Sequence, residues 1–192
     1  MNMVKSLLAL IGALAILAGG VGYAKYKSFF GELDPDAPRV FAEMYEKFQT
    51  NKDWGDAMMW SFPVEKGIGP EDVKRSLMSL AFERNFFFAG EAPFYKQAEA
   101  TLGKPYRYVN FLSFCDARVG AMMIDYNDKY SAFMPCRIAV VQANDGQVWL
   151  HSMNLDMMIY GGKPLPPELK EQALKVRNTL YDIMKTAAAG DF

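Results

Sequence analysis

RIAVVQANDGQVWLHSMNL, residues 137–155, decides the fold class. Two runs rich in β-branched and apolar residues, Arg137 to Ala143 and Gln147 to Leu155, flank Asn144-Asp145-Gly146. A tight hairpin needs a residue at positive φ, and glycine supplies it without a Cβ clash. The stretch therefore predicts two antiparallel strands. Upstream, Tyr108 to Cys115 predicts a third strand, Asp116 to Ile124 a short helix, and Asp125-Tyr126-Asn127-Asp128 a turn.

Working further toward the N-terminus, Phe86-Phe87-Phe88 starts another strand, which Pro93 and the polar stretch Lys96 to Lys104 interrupt. Pro70-Glu71-Asp72 opens a helix with Val73, Leu77, Leu80 and Ala81 on one face. Ala57 to Phe62 reads as a strand that Pro63 limits. Asp36 caps an earlier helix, with Pro38 in its first turn and Val40, Phe41, Met44 and Phe48 as its stripe; it ends near Asn51. Downstream, Asn154-Leu155-Asp156 forms a turn and MMIYGGKPLPP, residues 157–167, an apolar loop. Pro166-Pro167 starts the last helix, whose core face is Leu169, Ala173, Val176, Leu180 and Ile183; residues 187–192 are expected to fray. The order is that of an α+β fold: an antiparallel sheet of about five strands with helices on one face, β-α-β4-α. Residues 55–192 form one domain, and residues 26–54 a linker and an extra helix.

The N-terminus adds a membrane segment. SLLALIGALAILAGGVGYA, residues 6–24, is 19 residues without a charge, between Lys5 and Lys25. As a helix it spans about 28 Å, close to the hydrocarbon thickness of a bilayer. Residues 1–25 are read as a transmembrane anchor. Gly22-Tyr23-Ala24 also offers a small-x-small site for cleavage as a signal segment. Either way the domain is exported, and the expected address is the bacterial inner membrane with the domain facing the periplasm.

Hydrophobic residues are 51% of the chain and charged ones 22%, which is ordinary globular usage and argues against disorder. The net charge of −1 argues against nucleic-acid binding, which needs a basic face. Thirteen methionines are many; they fill irregular cores and are soft ligands for copper or haem iron.

Lys104-Pro105-Tyr106-Arg107, Phe114-Cys115, Met134-Pro135-Cys136-Arg137-Ile138-Ala139-Val140-Val141 and Asp145-Gly146-Gln147-Val148 resemble the domain-of-unknown-function family 302. An "FC" at a strand end, a "PCR" opening the next strand and a DG hairpin carry the likeness, over roughly residues 55–155. It implies a fold like one repeat of the TATA-binding protein. It implies no activity, and a fold shared by unrelated functions does not imply DNA binding.

Two groups of residues are candidate sites. Cys115 and Cys136 are the only cysteines, and export favours a disulfide. They end one strand and begin the next, so a bridge would close a loop of about 20 residues, worth roughly 3 kcal/mol. Their spacing is far from C-x-x-C, which disfavours a thioredoxin-like mechanism. A static bridge, two buried thiols, and a redox-active or ligand-holding pair all fit. The second group is His151, the only histidine, with Met153 on the same strand face; together they could hold copper or a haem iron. The rival reading makes Trp149, Met153 and Leu155 core and His151 their neighbour. One His and two distant Cys are not a usual zinc set. The chain has no C-x-x-C-H for covalent haem and no G-x-S-x-G for hydrolysis. The expected function is a non-enzymatic, membrane-anchored binding or assembly module that contacts a partner protein or an apolar or haem-like ligand. The alternative is a redox or metal-handling accessory serving respiratory or sulfur-compound metabolism.

Overall fold

In the computed structural model, which describes residues 2–190, five strands build one antiparallel sheet. They are β1 (Met59–Pro63), β2 (Phe87–Ala92), β3 (Val109–Cys115), β4 (Cys136–Gln142) and β5 (Val148–Met153), in the order β1-β5-β4-β3-β2. The helices are α1 (Asn2–Phe30), α2 (Ala37–Asn51), α3 (Trp54–Met58), α4 (Pro70–Glu83), α5 (Phe94–Leu102), α6 (Ala117–Tyr126), α7 (Asp156–Tyr160) and α8 (Pro167–Ala188), with a 3-10 turn at Asp128–Phe133. The hairpin forms where the DG turn places it. Gly146 has φ 88°, and Gln142 pairs with Val148 across the strands.

Strand alternation gives the sheet two unlike faces. One face carries Leu112 and Phe114 of β3, Ile138 and Val140 of β4, Leu150 of β5 and Trp60 of β1, all buried. Helices α4 and α8 cover it with Val73, Leu77, Leu180, Ile183 and Met184, which are fully buried. Each such side chain contributes about 1.5–3 kcal/mol on burial, so this layer is the main source of stability.

Several local expectations give way to tertiary context. The stretch before β1 is helix rather than strand, because the Asp53 carboxylate accepts from Gly55 N at 2.7 Å and Asp56 N at 3.3 Å and so starts α3. Lys96 to Lys104 is mostly α5, which ends where Gly103 takes φ 66°. Asp36 makes no side-chain cap; Asp34 Oδ1 accepts from Asp36 N at 3.0 Å instead. Met157 begins no loop, because α7 buries Ile159. The C-terminal end does not fray at Ala187: α8 continues to Ala188, both alanines are buried, and Ala188 O accepts from Glu65 N at 2.8 Å. Residues 191–192 lie outside the described part.

Residues 3–30 form a 28-residue helix whose most apolar 18-residue stretch has mean hydropathy 2.1 and is not buried in the domain. It is long and apolar enough to cross a membrane, a property that a signal segment shares. The chain leaving it is fastened to the domain through Asp34, which is fully buried. Asp34 N donates to Gly162 O at 2.8 Å, and Lys170 Nζ donates to Asp34 Oδ2 at 2.5 Å while standing 4.9 Å over the Tyr160 ring.

Candidate functional site

The second face of the sheet lacks the α4 and α8 layer; α5 reaches it at β3, where the Phe94 ring lies 5.9 Å from Phe111. Its central row runs Ser61, His151, Ala139 and Phe111, paired one to the next across β1, β5, β4 and β3. His151, Ala139 and Phe111 are half-buried and Ser61 is exposed. Trp149, His151 and Met153 stand on this open face, whereas the core side of β5 is Val148, Leu150 and Ser152. Of Trp149, Met153 and Leu155, Leu155 is buried core and Met153 is half-buried against the core edge, whereas Trp149 lies off it: alternation is right, but the fully buried parity of β5 is the other one.

His151 is held in place. Its Nδ1 lies 2.9 Å from Ser61 Oγ, and its ring stacks on Trp149 with centroids 6.0 Å apart and planes 7° apart. Where Nδ1–H donates to the hydroxyl, Nε2 keeps its lone pair and can meet a metal; where the hydroxyl donates to Nδ1, Nε2 carries the proton. Burial lowers the His151 pKa against the opposing pull of Asp56, so the ring is neutral at pH 7. Met153 lies two residues along the same face and pairs with Met59. A hollow of about 280 Å³ opens beside them, lined among others by Met59, Phe133, Arg137, His151 and Met153. The Arg137 guanidinium sits 5.6 Å over the Phe111 ring. A second hollow of about 410 Å³ shares Phe133 and Met153 and adds Met58, Tyr130, Met157 and Met158.

Behind the end of the sheet lies a smaller apolar cavity of about 60 Å³. Cys115, Met123, Met134, Cys136 and Met158 all line it, with Gly120 of α6 between. Phe114 pairs with Cys136, so Cys115 is one residue out of register and starts on the opposite side of the sheet. It reaches the cavity at the strand end, where the chain turns into α6. The two cysteines are free thiols in this structure. Burial first, then Asp116, raises the Cys115 pKa. Burial first, then Cys115, pushes Cys136 up to about 11. Both are neutral thiols at pH 7 and poor nucleophiles.

Of the four sequence candidates, Cys115 joins Cys136 and His151 joins Met153. Cys136 borders both the thiol cavity and the open-face hollow. Ser61, Met59 and Met134 also belong to these sites. Nothing in their local sequence marked them, because strand register and a loop crossing bring them in. Among the described residues, no three His, Cys, Asp or Glu side chains cluster tightly enough to hold a metal ion.

The profile of the family described as "Domain of unknown function DUF302" matches residues 60–187. A crystal structure of an uncharacterized conserved protein DUF302 from Bacillus stearothermophilus is similar in fold, with TM-score 0.53 and 18% identity over 66% of this chain and 95% of that one. No curated protein matches the chain.

Proposed function

This chain belongs to the family described as domain of unknown function DUF302, and on that premise we propose that it is a membrane-anchored, non-enzymatic binding module that holds a flat apolar ligand of haem type on the open face of its sheet. The anchor is α1, and the proposed placement is the bacterial inner membrane with the domain in the periplasm. One observation carries the reading. A neutral histidine, oriented by Ser61 at 2.9 Å and stacked on Trp149, stands at a hollow of about 280 Å³ lined by thioethers and aromatic carbon. Ligand sites are typically concave, mostly apolar and furnished with a few fixed polar groups. Arg137 makes no ion pair among the described residues, so it is free to meet a propionate-like carboxylate.

Haem titrated into the full chain in detergent should give a Soret band that saturates at one equivalent. His151→Ala should abolish the band and leave the circular dichroism unchanged. A wild-type protein that shows no band at micromolar haem would rule out the ligand. The open face would then be better explained by a partner protein, which co-purification from membranes would reveal. The redox or metal-handling alternative, in respiratory or sulfur-compound metabolism, draws support from a separate feature, the pair of thiols.

A further inference from the structure

We infer that the cavity lined by Cys115, Met134 and Cys136 is a binding site for a soft monovalent cation, copper(I), separate from the open face. Sulfur carries the argument. Five residues around one cavity of about 60 Å³ bear sulfur: Cys115, Met123, Met134, Cys136 and Met158. The chain holds only two cysteines and thirteen methionines in 192 residues. Chance apolar packing does not call for both thiols and three thioethers at one place.

The geometry is close. A methyl group built at Gly120 would lie 3.5 Å from Met134 Sδ and 3.6 Å from Cys115 Sγ, so those two sulfurs face a common point. Cys136 begins β4 two residues after Met134, and its partner across the sheet is the residue before Cys115. Three sulfurs therefore approach from a strand end, a loop and a strand start.

The chemistry selects the ion. Thiolates and thioethers together favour copper(I), which accepts low coordination and soft donors. Zinc sites use Cys, His and carboxylate ligands, usually four, and thioethers are not among them. Asp116 is the one acidic side chain lining the cavity, and its Oδ1 is already taken by Arg118 N at 3.0 Å and Val119 N at 3.1 Å. Charge balance then fixes the stoichiometry. One thiol gives its proton to solvent, and the resulting thiolate neutralises the single positive charge. The thioether of Met134 completes a two-coordinate shell as the neutral donor, and the second thiol stays protonated beside it, outside the shell. No electron is transferred and no net charge is left in the apolar cavity, which would be costly to bury. Cys136 also borders the open-face hollow, which provides the way in.

The test uses the full chain in detergent under anaerobic conditions, with copper(I) shared against a coloured copper(I) chelator. Wild type should retain one copper(I) per chain. The double variant Cys115→Ser with Cys136→Ser should release it. Met134→Leu keeps the side-chain volume, so it should keep the fold and weaken retention by about tenfold or more. His151→Ala should retain copper as wild type does, which separates this site from the haem reading. X-ray absorption at the copper edge should show sulfur neighbours only. Failure of wild type to hold copper(I), retention by the double serine variant, loss in His151→Ala, or nitrogen and oxygen neighbours would each overturn the assignment. If the double variant does not fold, Met134→Leu and the absorption spectrum decide.

Discussion

Asp156 looks like a turn former beside Asn154, and its neighbourhood makes it much more. It is 4% exposed, and Arg177 donates to it twice, Nε to Oδ1 at 2.9 Å and Nη2 to Oδ2 at 3.0 Å. The same guanidinium stands 5.1 Å over the Trp60 ring and 5.5 Å over the Tyr181 ring. Removing one partner strands the other, so Asp156→Ala should cost about 3–5 kcal/mol. Denaturant unfolding measures it, and a loss below about 1 kcal/mol would show that water takes over the guanidinium. Glu91 supplies the pH dependence. A bulge between Phe88 and Gly90 turns Glu91 onto the helix side of β2 opposite Leu112. There it accepts from Lys74 Nζ at 2.5 Å and from Asn110 Nδ2 at 2.6 Å. The Lys74 bond, then that of Asn110, holds its pKa below the usual value. The unfolded chain therefore takes up the proton first on acidification. Stability from this group is complete above the unfolded pKa and is lost as pH falls through the folded one. Glu91→Gln should flatten that acid loss. An acid limb identical to wild type would assign the pH dependence to other carboxylates.

At the scale of elements, α1 and its fastening are the informative part. The most apolar 18 residues of α1, with mean hydropathy 2.1, are not buried in the domain, and the helix end meets α2 through Phe30, 6.2 Å from Phe41. We expect residues 1–24 to stay attached and to keep the protein in the membrane fraction. Mass spectrometry of the native protein decides it: a mature chain that begins at Lys25 in the soluble fraction means a cleaved signal segment. The Asp34–Lys170 pair holds the chain after α1 at the base of α8. The short elements are those that local pattern missed. α3, α5 and α7 have 5, 9 and 5 residues, fewer turns than a periodic stripe needs to declare itself. α4 and α8, with 14 and 22 residues, show their apolar faces plainly.

For the whole molecule, the two thiols connect compartment to chemistry. An oxidising compartment favours their union, and the register puts Cys115 next to Phe114, the partner of Cys136 across β3 and β4. Oxidant should lower the thiol count in denaturant from two to none, raise the melting temperature by several degrees and expel copper(I) in the same step. Two thiols that persist after oxidation would leave the bridge unsupported and the copper site unguarded. Composition, the DG hairpin and the long uncharged run were enough for an α+β domain behind a long apolar helix. Those signals are local: a glycine at a turn, a two-residue alternation, an apolar length matched to a bilayer. Both cysteines and His151 could be picked out because rare residue types announce themselves, and Met153 because it alternates onto the same strand face as His151. The face they use was not local. Alternation places Trp149, His151 and Met153 together, yet which parity meets α4 and α8 depends on the helices that arrive from elsewhere in the chain. Ser61 reaches His151 across 90 positions, and Met134 joins Cys115 through the path of a loop. Contacts of that range are settled by packing the whole sheet against its helices, because a side chain acquires a face only when something covers the other one.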